Sequence, residues 1–186
     1  ETQETDVVPS KETPIDSTGT SCPPPLIGEE HDWNFVLRME HGVALTKEYP
    51  EYFDKILLDT PCTAETRFLA DKSKSFSYWN EQKVKEMAHK QSGLLCSAWG
   101  ALKPGGILVY STCTFAPEEN ELQVSKFMDY NPDCEILSVE LNGIEKLPVV
   151  KSFKGEDVNK EIVEKALRIM PDKEIEGFFL VKIKKH

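Results

Sequence analysis

The chain has 186 residues, enough for one domain with a sizeable core, and no run of 18 or more apolar residues that would span a membrane. Its formal net charge of −10, from 32 acids against 22 bases, argues against a protein that binds nucleic acid by bulk charge alone. Five cysteines, at 22, 62, 96, 113 and 134, form no C-x-x-C pair and no Cys/His cluster of zinc spacing, so reduced thiols in a cytoplasmic setting fit best.

The charge is unevenly spread. Residues 1–30 carry seven acids and one base, a net of −6, so the rest of the chain holds only −4. The same segment is rich in Thr, Ser, Pro and Glu and poor in large apolar groups. It cannot bury enough surface to offset its ordering entropy, and it is read as a disordered acidic tail or linker. It has no signal-peptide pattern, and its start at Glu1 rather than Met suggests a fragment or a processed product.

The folded part is expected over 31–186. "NFVLRM" is a candidate strand, and "FDKILLD" is a short apolar run ending in a carboxylate, predicted to be a strand buried on both faces. Between Arg67 and Lys90 the sign of the charge reverses: six bases face three acids, a net of +3, which is either a solvated helix face or a basic contact surface. Phe76, Tyr78 and Trp79 lie in this stretch and read as core packing or as base-stacking groups. Arg67 could meet an RNA phosphate or be an ordinary loop arginine.

The periodicity predicts a helix over 80–102, with Asn80 as N-cap and Pro104-Gly105-Gly106 closing it. "GILVYST" reads as a second buried strand. Pro117 followed by Glu118 and Glu119 predicts a helix opening there and running to about Tyr130, with these acids and Glu121 as helix-start and scaffold groups. "EILSVEL" and "EGFFLVKIKK" are the remaining strands. This alternation implies an α/β sheet with mostly parallel central strands, whose ligands bind beyond the carboxyl ends of the strands. Asp59 to Cys62 and Thr112 to Cys113 both fall at such ends. From pattern alone the two thiols are a reaction site or core filling, because free cysteine is also a common core residue.

Four blocks, "LLDTPCT", "HKQSGLL", "LKPGGILVYSTCTFAPEENE" and "LRIMPDKEIEGFFLVKI", covering about residues 50 to 184, resemble in content and order the Sun/Fmu family of RNA cytosine-5 methyltransferases. The resemblance implies a partial Rossmann-like methyltransferase sheet with an antiparallel C-terminal strand, RNA (rRNA or tRNA) as substrate and S-adenosylmethionine as cofactor. It implies that Cys113 is the nucleophile, that Cys62 assists product release, and that Asp59 contacts both the cytosine edge and the cofactor. A protonated Asp59 in a dry pocket would donate to the cytosine ring. A helix N-terminus near Pro117 would favour the Cys113 thiolate.

The chain departs from the family in its cofactor half. No Gly-rich loop follows a first strand, and no acid for the ribose is found. Where the family has an acid before Gly, for the adenine end, this chain has His41 before Gly42, with Glu40 alongside. Two functional classes stay open: the C-terminal part of such an enzyme, active with a missing N-terminal half or a partner chain, or a non-catalytic relative that binds RNA or protein. A thiol-redox role for Cys62 and Cys113 is a third.

Overall fold

The computed structural model describes Met39, residues 41–69 and residues 71–186. The expected tail over 1–30 lies outside the described residues, as does most of the "NFVLRM" segment. All described elements belong to the unit His41–His186.

Helix α2, Glu81–Ala101, is the element most plainly written in the chain. Asn80 Oδ1 accepts from Lys83 N at 2.8 Å, as an N-cap should. Val84, Met87, Gln91, Leu95, Ala98 and Trp99 fall on one face and are buried. Its other end is closed from a distance: Lys185 Nζ donates to the carbonyls of Trp99 (3.1 Å) and Leu102 (3.0 Å).

Strand β1, Phe53–Asp59, precedes this helix and β2, Leu102–Thr112, follows it; the two pair in parallel. The register slips between Phe53 and Lys55, where Pro104-Gly105-Gly106 bulges out of β2. Gly106 is required there, because a Cβ would stand 2.8 Å from the Leu102 side chain and from the Lys103 carbonyl.

The rest of the chain builds the far side of the sheet. It comprises α3 (Glu121–Tyr130), β3 (Cys134–Leu137), β4 (Lys146–Leu147), a two-residue hairpin of β5 (Ser152–Phe153) and β6 (Glu156–Asp157), α4 (Lys160–Lys165), β7 (Leu167–Ile169) and β8 (Phe178–Lys185). The order is β1-β2-β8-β7-β4, with β3 also on β8. The C-terminal strand β8 is antiparallel to β2, as expected. β1–β2 is the parallel pair, and the other pairings of described strands are antiparallel.

Leu108, Tyr110, Phe179, Val181 and Ile183 of the sheet meet Leu95, Trp99, Leu122 and Phe127 of the helices in one core cluster. Trp99 and Phe127 stack edge to face at 5.2 Å.

Two local expectations need correction. β1 is not buried on both faces: it is an edge strand among the described residues, and Leu57 is 72 % exposed, because no described element covers that side. The helix after Cys113 begins at Glu121, not Pro117. Pro117 to Asn120 form a turn instead, since the Asn120 side chain is spent on Thr112 Oγ1 (2.6 Å) and the Thr114 carbonyl (2.9 Å) and caps no helix. No helix among the described residues is long and apolar enough to cross a membrane.

Candidate active site

Parallel pairing sets Asp59 beside Ser111, so the two strands end together and the chain leaves both at one edge of the molecule. Thr60 N donates to the Ser111 carbonyl at 3.2 Å, which carries the pairing one step beyond the strand. The next residues are Pro61-Cys62-Thr63 on one side and Thr112-Cys113-Thr114 on the other. The Cys62 and Cys113 sulfurs are 3.2 Å apart, in hydrogen-bond contact, and both are half-buried.

The two thiols are not equivalent. Hydrogen bonding to Cys62 and the positive charge of Arg67 hold the Cys113 thiol down to about 7, against burial and the carboxylates of Glu176 and Asp59. The same hydrogen bond, together with burial, pushes the Cys62 thiol up. Above about pH 7 the arrangement favours one shared proton, kept on Cys62 and donated toward a Cys113 thiolate. The helix end invoked from sequence is not the cause: α3 starts eight residues after Cys113, and the depression has these nearer sources.

Around the sulfurs lies a buried polar frame. Glu119, fully buried, accepts from Thr63 N (3.1 Å), from Thr63 Oγ1 and from Gln91 Nε2 (2.8 Å). Burial pushes its carboxyl up, opposed by those same hydrogen bonds. Gln91 also donates to the Pro61 carbonyl at 2.9 Å, and Thr66 Oγ1 to the Cys113 carbonyl at 2.9 Å. The loop carrying Cys62 then turns through Ala64 at φ 53°, a left-handed conformation rare for alanine that its neighbours' hydrogen bonds sustain. Beyond Cys113, buried Arg168 grips Glu121 through two 2.6 Å hydrogen bonds and donates to the Phe115 carbonyl at 3.0 Å.

Of the residues singled out in the sequence, Asp59 stands beside this pair, its carboxylate accepting from Ser111 Oγ at 3.2 Å. It is exposed rather than enclosed in a dry pocket, because β1 is an uncovered edge among the described strands. Arg67 is exposed and held in an ion pair with Glu176 at 3.0 Å. His41 is elsewhere engaged: its Nδ1 accepts from Val43 N at 3.4 Å, opening the short helix α1, Gly42–Glu48. No hydrogen bond joins it to Asp59 or to the thiols among the described residues. Phe76, Tyr78 and Trp79 are not core: they are 40, 49 and 38 % exposed, with Tyr78 Oη donating to the Thr63 carbonyl and Trp79 Nε1 to Glu65.

Sequence reasoning missed Thr63, Thr114 and Gln91 as parts of the frame. The repeated Cys-Thr dipeptide after two strands was the one available signal.

Comparison with known proteins decides the family. The model of the 16S rRNA methyltransferase RsmB/F family matches residues 36–184. The chain belongs to the RsmB/F methyltransferase family. RsmB/F relatives include the ribosomal RNA small subunit methyltransferase F of Vibrio parahaemolyticus, 37 % identical over 139 residues, which are 74 % of this chain and 27 % of that protein. The protein of the same name from Escherichia coli O139:H28 is 38 % identical over 154 residues, 82 % of this chain and 30 % of its own length. The chain thus spans under a third of the length of these relatives.

Among solved structures, a methyltransferase homolog from Pyrococcus horikoshii superposes with a TM-score of 0.63 at 33 % identity, covering 82 % of this chain and 45 % of that one. NSun6 from the same organism, determined with SFG, gives 0.59 at 30 % identity, covering 81 % and 34 %. The Rossmann-like α/β fold and the Sun/Fmu resemblance of the sequence agree with these matches.

The sulfur contact itself is open to a direct check. Closing 3.2 Å to a disulfide of about 2.0 Å needs only a small side-chain shift. Diamide, a thiol oxidant, should therefore yield a peptide pair linked Cys62 to Cys113 in a digest, and none in a Cys62→Ala chain. A wild-type digest in which the two cysteines stay unlinked, or pair with others, contradicts the contact.

Proposed function

We propose that this chain is the base-handling, C-terminal part of the catalytic domain of an S-adenosylmethionine-dependent RNA cytosine-5 methyltransferase. It acts on rRNA or tRNA through a covalent Cys113–cytosine adduct, and works with the remainder of a longer chain or with a partner that supplies it. The observation that carries this reading is the contact of two inequivalent thiols at adjacent parallel strand ends, in a member of this methyltransferase family.

The chemistry accounts for the arrangement. Carbon 5 of cytosine is too poor a nucleophile to take a methyl group from a sulfonium. Addition of the Cys113 thiolate to carbon 6 breaks the ring's aromaticity and makes carbon 5 enamine-like. After carbon 5 is methylated, its proton must leave on a base before the Cys113–carbon 6 bond breaks and the thiolate departs. Once the Cys113 sulfur is bonded to carbon 6, its hydrogen bond to Cys62, the first cause that holds the Cys62 proton in place, is gone. Cys62 can then give that proton to solvent and, as a thiolate beside the adduct, take the carbon-5 proton on the releasing side of this cycle. The cytosine must come from a single-stranded or flipped-out position. Exposed Arg67 suits an RNA phosphate, exchanging its Glu176 partner for it.

S-adenosylmethionine, when bound, supplies the methyl group. Asp59 has the chemistry to accept a hydrogen bond from it or from the cytosine edge, being an exposed carboxylate at a strand's carboxyl end. His41 Nδ1 accepts from Val43 N, which leaves Nε2 to face the adenine end, but the family's Gly-rich loop and ribose acid are not found in this sequence. The isolated 186 residues are therefore expected to bind the cofactor very weakly. Each missing hydrogen bond to a charged group costs about 1.5–3 kcal/mol. Two or three of them correspond to a roughly 10²- to 10⁶-fold loss at about 1.4 kcal/mol per tenfold.

The edge of β1, with Leu57 bare, is where further strands would continue the sheet. Titration calorimetry tests the reading: little or no heat with the chain alone, and restored binding in a chain extended to the relatives' length. An extended chain that binds S-adenosylmethionine but never methylates RNA would favour the non-catalytic alternative.

A further inference from the structure

Two rungs, not one, cross between the strand ends. Cys62 meets Cys113 through sulfur at 3.2 Å, and the very next residues, Thr63 and Thr114, meet through their hydroxyls at 2.8 Å. Both rungs join residues 51 apart, whereas the strand pairing that precedes them, such as Leu57 to Val109, joins residues 52 apart. The strand pairing ends at Asp59 and Ser111, and the two rungs beyond it are side-chain contacts at a different offset, so backbone pairing alone does not dictate that the sulfurs meet.

The hydroxyl rung is anchored. Thr63 and Thr114 are buried, at 1 % and 0 % exposure, and Thr63 Oγ1 donates to fully buried Glu119. Having given its one proton to Glu119, Thr63 can only accept from Thr114, which orders the chain Thr114 to Thr63 to Glu119. Glu119 is in turn fixed by Thr63 N and by Gln91, whose amide also holds the Pro61 carbonyl on the other side of Cys62. The Cys62 loop is thus gripped immediately before and after the cysteine, and the grip runs to the residue following Cys113.

We propose that the Thr114–Thr63–Glu119 hydrogen-bond chain is the positioning element that holds the Cys62 and Cys113 sulfurs in contact and so sustains the hydrogen bond between them. These residues touch no substrate; they act through the cysteines. The inference rests on the reading of the thiols as the reactive pair, but its test needs neither RNA nor cofactor. Failure here would leave the methyltransferase reading untouched, and failure of that reading would leave this measurement standing.

The test is the pH dependence of Cys113 alkylation by iodoacetamide in the 186-residue chain, followed peptide by peptide in a mass spectrometer, alongside the rate of diamide-induced Cys62–Cys113 linkage. The wild-type midpoint is expected at about 7. Thr63→Val and Thr114→Val keep the shape and remove the hydroxyl. Each should raise the midpoint by about one unit toward the ordinary thiol value, a tenfold smaller thiolate fraction on the low-pH side, and slow the linkage. Thr63→Ser and Thr114→Ser restore the hydroxyl and should restore both readouts, which a role in bulk packing would not produce. If a valine chain fails to fold by circular dichroism, Thr114→Ala takes its place, with the same expectation. Folded hydroxyl-deficient chains that keep the wild-type midpoint and linkage rate overturn the proposal, as do serine chains that behave like the valine ones.

Discussion

Replacing Cys113 by alanine should reduce methyl transfer to background in any setting where the complete enzyme works, a loss on the order of 10⁴-fold or more, as for other covalent nucleophiles. The reason is chemical rather than structural. No second group at this strand end can substitute: Cys62 loses its Cys113 partner in this variant, but the burial that also pushes its thiol up remains, and Ser111 and Thr112 are buried hydroxyls already engaged with Asp59 and Asn120. The half-buried Cys113 side chain packs little surface, so the variant should fold. Incorporation of labelled methyl groups into RNA is the assay, and substantial activity in Cys113→Ala would assign the nucleophile elsewhere.

Replacing Cys62 by alanine should give the opposite phenotype. Addition to carbon 6 still occurs, because the nucleophile remains, but release is slowed. A protein–RNA species should accumulate and survive a denaturing gel, at a level many times that of the wild type, and the double variant should show none. The change also removes the foremost cause of the depressed Cys113 thiol. The pH midpoint for adduct formation should accordingly rise from about 7 toward the ordinary thiol range near 8.5. The sign follows from the hydrogen bond: without a donor the thiolate is less stable, so a higher pH is needed to form it. A stable adduct appearing in Cys113→Ala instead would exchange the two roles.

Much of this arrangement can be read from residues whose local chemistry and tertiary use coincide. Asn80 caps because a side-chain oxygen at that position satisfies a free backbone amide whatever the helix packs against. The face from Val84 to Trp99 repeats at helical spacing because one side meets the sheet. "GILVYST" and "GFFLVKI" are apolar and short between turn residues, and both are strands. The two cysteines are legible as strand-end residues for the same reason.

What escapes the sequence is what distant residues do to one another. Glu119 and Glu121 look like acids opening a helix at Pro117. In the fold they are spent on Thr63, Gln91 and Arg168, and the helix starts only at Glu121. "FDKILLD" looks like a two-sided core strand because apolar composition does not say which faces are covered, and Leu57 is bare. Strands of two or three residues, such as β4 to β7, have no period to detect. Arg67 finds its carboxylate 109 residues away. That the sulfurs touch depends on parallel register plus the course of the two loops beyond Asp59 and Ser111, and no spacing in the chain announces it.

The central claim is that the sulfur of Cys113, and no other, bonds to the base. The most direct measurement is to isolate the RNA-bound species formed by the complete Cys62→Ala protein, digest both polymers, and locate the nucleotide by tandem mass spectrometry. A modified cytosine on the peptide "STCTFAPEENE", at Cys113, is the predicted result; a nucleotide attached at Cys22, Cys96, Cys134 or a non-cysteine residue would contradict it.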